Sequence, residues 1–79
     1  MKMLSPMRED EYAGYSYGMA SRRAQEVCQI AGATGQTIIA AQHLHKLAEI
    51  MRDRGPLVGI AGREMDKLLE KRYEFLDHL

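Results

Sequence analysis

Apolar positions in this chain recur at helical spacing, and no useful run alternates with the period of a strand. From residue 19 to residue 31, a step of about 100° per residue gathers Ala20, Ala24, Val27, Cys28 and Ala31 on one face. Arg22, Gln25, Glu26 and Gln29 fall opposite. Ser21 suits the first turn of this helix, and Gly32 suits the left-handed position that ends one. A second helix is expected over 34–53, with Thr34 as its N-cap. Its main face collects Ala40, Ala41, Leu44, Leu47, Ala48 and Met51. Ile39, His43 and Ile50 form another stripe more than a quarter turn away, and Ile38 lies off both. Two apolar stripes on one helix call for two neighbours.

A third helix is expected over 57–78, entered through Pro56, whose fixed φ suits a first turn. Gly59 and Gly62 weaken its start. Ala61, Met65, Leu68, Leu69, Tyr73, Phe75, Leu76 and Leu79 cover one side, and charged residues cover the other. Arg72 is the exception, projecting from the middle of the apolar arc. The pattern therefore predicts an all-α chain. Three main helices form a small bundle behind a Tyr- and Gly-rich lead-in over 1–18, all in one domain, 1–79.

Length and composition tighten this picture. A compact chain of 79 residues has an expected radius of gyration of about 12 Å. It buries only about 60–65% of its unfolded surface, and the first helix packs through small residues. Burial then barely offsets the entropy of ordering, so oligomerisation, a dimer first, is expected to complete the fold. Eleven basic and eleven acidic side chains cancel, which argues against bulk nucleic acid or an anionic membrane as partner. The lone Cys28 excludes an intrachain disulfide and reads as a buried small hydrophobe. No apolar leader and no run of about eighteen apolar residues is visible, so a cytoplasmic protein is expected.

Candidate chemistry is sparse. The Gly32–Thr37 stretch fails as a phosphate loop: Ile30 takes the first Gly position, Gln36 replaces the Lys, and a helix precedes it. A helix-turn-helix frame fits better. With Gly32 at the turn, Val27, Ala31, Ala33, Ile38 and Ala41 take the interior positions and Cys28 the small one. Gln36, Thr37 and His43 would then read bases, with Arg22 and Arg23 on phosphates. His43 and His45 point in different directions, and His45 with Glu49 lacks further ligands, so neither metal nor cofactor is expected. Ser and Thr residues sit where turns and caps use them, and a buried Cys28 stays protonated, so no catalytic residue is assigned.

Two features stand out. Tyr12, Tyr15 and Tyr17 crowd together beside Arg22 and Arg23, as a recognition patch would or as rings that complete a thin core. Arg72 must snorkel, meet a carboxylate or bind an anion. The leading expectation is a non-enzymatic, oligomeric binding protein that sterically engages a protein partner, as inhibitors and adaptors do. Ile39, His43, Ile50 and Arg72 would join the Tyr–Arg cluster in contact. Small neutral all-α chains of this kind are common among accessory proteins of phages and mobile elements. The alternatives are the DNA-binding regulator and a sequestering protein for a small anionic, nucleotide-like ligand.

Overall fold

The computed structural model describes residues 2–77. Three helices follow one another: α1 (Tyr17–Thr34), α2 (Thr37–Asp53) and α3 (Gly59–Leu76). Among the described residues there is no strand, so the all-α bundle is as expected. The radius of gyration is 11.9 Å. The end of the third helix at residue 78, and Leu79 on its apolar side, lie outside the described residues.

Both ends of α1 differ from expectation. Ser16, not Ser21, caps its start, with its Oγ accepting the Met19 N–H at 3.2 Å. Gly32 lies inside the helix, and Gly35 terminates it at φ +75°, its N–H returning to the Ala31 carbonyl at 2.8 Å. The chain holds two glycines three apart, and the helix takes the later. Thr34 is consequently the last residue of α1 rather than a cap for α2. Its hydroxyl donates back to the Ile30 carbonyl at 2.7 Å. Gln36 precedes α2 without a side-chain cap.

The start of α3 is displaced as well. Residues 55–58 turn through Gly55 (φ +115°) and enter α3 from an extended Val58, so Pro56 opens no helix. Gly62 explains why this loop can fold back over the first turn. A Cβ there would sit 2.6 Å from the backbone carbon of Leu57. Gly62 is a contact surface, not a weak spot.

The core sits where the α2 main face predicts. Ala40, Ala41, Leu44, Leu47, Ala48 and Met51 are all buried, against Ala20, Ala24, Val27, Ile30 and Ala31 of α1. Cys28 is only half-buried, its Sγ 3.8 Å from the Leu68 carbonyl. On α3 the buried line is Gly62, Met65, Leu69 and Arg72, while Ala61, Tyr73 and Leu76 are exposed. The second stripe of α2 is covered by the chain itself. Leu4 and Tyr12 of the lead-in join the core over His43, with Ile39 and Ile50 half-buried beside them.

That covering bears on assembly. The accessible surface is 5230 Å² for a 9.0 kDa chain. A folded monomer of this mass exposes about 4900 Å². The accessible surface is thus slightly above that of a typical monomer of this mass. No helix among the described residues is long and apolar enough to cross a membrane.

Candidate functional site

Two buried polar centres flank α2, and the sequence points to residues in each. The first lies under the lead-in. Tyr12 and His43 are fully buried and hydrogen-bonded to one another, Tyr12 Oη to His43 Nδ1. His43 Nε2 lies 2.9 Å from the Ser5 carbonyl, which can only accept, so Nε2 carries a proton and, in the neutral ring, Nδ1 accepts from Tyr12. Arg23 Nε completes the chain by donating to Tyr12 Oη at 3.0 Å.

Glu11 closes the ring of contacts, 3.6 Å from Arg23 and 3.9 Å from His43 Nδ1. Arg23 also meets Glu26 at 3.0 Å, and Lys2 reaches the same carboxylate at 3.1 Å. The Lys2 hydrogen bond, with Arg23 nearby, holds the Glu26 carboxyl below the usual range. Burial pushes the Tyr12 phenol up, only partly opposed by the Arg23 hydrogen bond. Gln36 adds a two-point clasp: its Oε1 accepts from the Leu4 N–H at 2.7 Å and its Nε2 donates to the Leu4 carbonyl at 3.1 Å.

This centre fastens the lead-in to α1 and α2 and exposes no reacting atom. Tyr12 has no accessible surface, so it cannot stack on a partner or a base. Tyr15 packs edge-to-face on it, with centroids 4.9 Å apart, and is half-buried like Tyr17. The Tyr17 hydroxyl is buried without a hydrogen-bond partner. Arg23, Gln36 and His43 are all engaged inside the fold, which leaves the DNA-reading set only Arg22 and Thr37. Ala33 and Ile38, interior in the helix-turn-helix frame, are exposed, and Gly32 is not at the turn.

The second centre lies between α2 and α3. A groove of about 830 Å³ runs along α2 from Ile38 to Arg52, against the end of α3 and Met7 and Glu9 of the lead-in. Its apolar lining comes from Met7, Ile38, Ala41, Tyr73 and Leu76. Ile38, Tyr73 and Leu76 are 47%, 56% and 43% exposed, large apolar side chains gathered on one cleft. The polar lining includes three cations, Lys46, Arg52 and Arg72, against two carboxylates, Glu9 and Glu49. Glu49 is taken by His45 at 3.1 Å and Lys46 at 3.5 Å.

Arg72 is 8% exposed and forms no ion pair among the described residues. Its Nη1 donates to the Leu69 carbonyl at 2.6 Å and its Nη2 to the Tyr73 hydroxyl at 2.7 Å. The guanidinium carbon stands 4.3 Å from the Tyr73 ring centroid. A smaller cavity of about 320 Å³, lined by Asp66, Leu57 and Ala48, also opens onto Arg52 and Arg72.

The groove therefore holds Arg72 but not the Tyr12–Tyr15–Tyr17 cluster that sequence reasoning placed beside it. It adds Ile38, Arg52, Tyr73 and Leu76, which that reasoning did not select as binding residues. Ile38, off both stripes of α2, is the one signal the sequence carried. His45 and Glu49 form an exposed pair, and no metal-ligating group of three or more is present among the described residues. Comparison with protein-family models, with curated proteins and with solved structures gives no match.

Proposed function

We propose that this chain is a non-enzymatic binding protein that engages a protein partner by taking a short segment of it into the groove between α2 and α3. The observation that carries this reading is convergence. Ile38, Tyr73 and Leu76 are exposed around one cleft, and the buried Arg72 lies within it. Single exposed apolar side chains are ordinary on any surface, but a cluster rimmed by charge marks a contact site. The volume is enough for a few side chains.

Binding here is steric: the occupant is held, and whatever surface it presented elsewhere is blocked. Catalysis has no support from the polar centre under the lead-in, because its hydroxyl and imidazole are sealed from solvent. The DNA-binding reading loses most of its contact residues to internal hydrogen bonds. Sequestration of a small anion retains the exposed Arg22 and the buried Arg72 but loses Tyr12 and Arg23 to internal hydrogen bonds. A reducing, cytoplasmic setting suits a single thiol held protonated by burial.

Photo-crosslinking from within the groove tests the proposal. A photoreactive phenylalanine replaces Ile38 in one variant and Gln25, on the exposed face of α1, in another. Both are irradiated in cells of the source organism. A discrete adduct with another protein from position 38, and none from position 25, is the expected result. An adduct only with a second copy of this chain overturns the heterologous reading in favour of self-association. No adduct from position 38 overturns groove binding altogether.

A further inference from the structure

We propose that the wall formed by Arg72 and Arg52 is a carboxylate subsite, so that the docked segment carries an Asp or Glu side chain flanked by apolar residues. This rests on the groove-binding reading and specifies the chemistry of the occupant. A guanidinium presents five N–H donors. Arg72 directs one nitrogen at the Leu69 carbonyl and another at the Tyr73 hydroxyl, both uncharged acceptors. Its position is fixed by those bonds and by the Tyr73 ring, while its charge has no carboxylate among the described residues. Burying a guanidinium in that way is costly, and a carboxylate arriving with a partner removes the cost.

Arg52 shares both cavities with Arg72 and likewise forms no ion pair among the described residues. Asp66 lines the smaller cavity with them without pairing to either, so the fold does not use its own carboxylate here. The charge balance selects the class of anion. Three cations against two carboxylates leave one positive charge in the larger groove, which matches one carboxylate. Glu9 and Glu49 on the same lining oppose a doubly charged phosphate or a nucleic-acid backbone. The apolar walls at Ile38 and Leu76 then require apolar side chains beside the acid, which a protein segment supplies.

The test uses a displayed library of random peptides selected on the full-length protein. Enriched peptides are expected to carry one Asp or Glu between large apolar residues. Affinity for such a peptide should fall by about 10–100-fold in Arg72→Met, or on changing the peptide's own acid to its amide. A smaller drop is expected in Arg52→Gln, an exposed position whose variant keeps the fold. Should Arg72→Met fail to fold, Arg52→Gln and the peptide amide decide.

Ile38→Asp separates the two readings. Peptides that lose binding in Ile38→Asp yet lack an acid, or ignore both arginine variants, overturn the carboxylate subsite and leave groove binding intact. Peptides indifferent to Ile38→Asp, or an empty selection, overturn both.

Discussion

His43 and Arg72 occupy the same kind of place in the sequence, a basic side chain set in an apolar stripe, and the fold treats them oppositely. His43 is fully buried with both ring nitrogens answered, one by Tyr12 and one by the Ser5 carbonyl. Arg72 is nearly as deep, yet its partners are a helix carbonyl and a phenol, and its charge is unmatched among the described residues. The first arrangement is complete within the chain and adds rigidity. The second leaves a charge without a counter-ion among the described residues. A buried polar group identifies a site through what it lacks, not through being buried.

The comparison is broken most severely at Tyr12. Tyr12→Ala removes a fully buried ring and the hydroxyl that links His43 to Arg23. A loss of about 3–5 kcal/mol in unfolding free energy is expected, measured by urea denaturation followed by circular dichroism. For a domain of this size that is a large share of the total. Limited proteolysis should then cut within residues 2–16, because the lead-in has lost its anchor. Tyr73→Ala, at the groove, takes away a ring that is 56% exposed and should cost less than about 1 kcal/mol. Equal losses at the two tyrosines would erase the distinction between the centres.

Tyr12→Phe sharpens the same contrast by removing one oxygen. His43 Nδ1 is left without a donor and Arg23 Nε without its acceptor, for a cost of about 1–3 kcal/mol. Alkaline pH gives an independent reading. Burial raises the folded Tyr12 above the usual tyrosine value of about 10. The unfolded chain therefore loses this proton first, and between the two values it binds fewer protons than the folded chain. Stability is full below pH of about 10 and falls as pH rises through the folded value. Burial pushes Cys28 in the same direction, so the titration belongs in a Cys28→Ala background. The alkaline loss should shrink in Tyr12→Phe; an unchanged profile would place the raised group elsewhere.

How much of this was legible in the sequence depends on the range of the interaction. The α2 main face was readable because Ala40 to Met51 repeat at helical spacing and all meet the same neighbours. The competition between Gly32 and Gly35 was not, since both can end a helix and only the packed chain decides. The second stripe of α2 was read correctly as needing a neighbour, but no periodicity announces that Leu4 and Tyr12 supply it from an irregular lead-in. Contacts such as Gln36 with Leu4 span the chain without any repeating pattern. Arg72 was visible as an anomaly. Its setting was not, because the groove depends on how α3 lies against α2 and on Ile38, which belonged to neither stripe.

The smallest expected effect on stability is the most informative. In Arg72→Met an unbranched side chain that reaches as far as the arginine Nε keeps the packing of the stem and removes the charged head. If the guanidinium were a structural partner like His43, its loss would strand a buried acceptor and destabilise the fold. Its acceptors are not stranded here. The Leu69 carbonyl can still take the α-helical hydrogen bond from Tyr73, and the Tyr73 hydroxyl belongs to an exposed residue that water can reach. Removing a desolvated charge that the fold does not pair is neutral or favourable. The unfolding free energy of Arg72→Met should therefore lie within about 1 kcal/mol of the parent, on the stabilising side, by the same urea titration. A loss comparable to that of Tyr12→Phe would mean that Arg72 holds the fold together as His43 does. A stable variant with an empty groove would mean that the cost of keeping arginine there is met by binding.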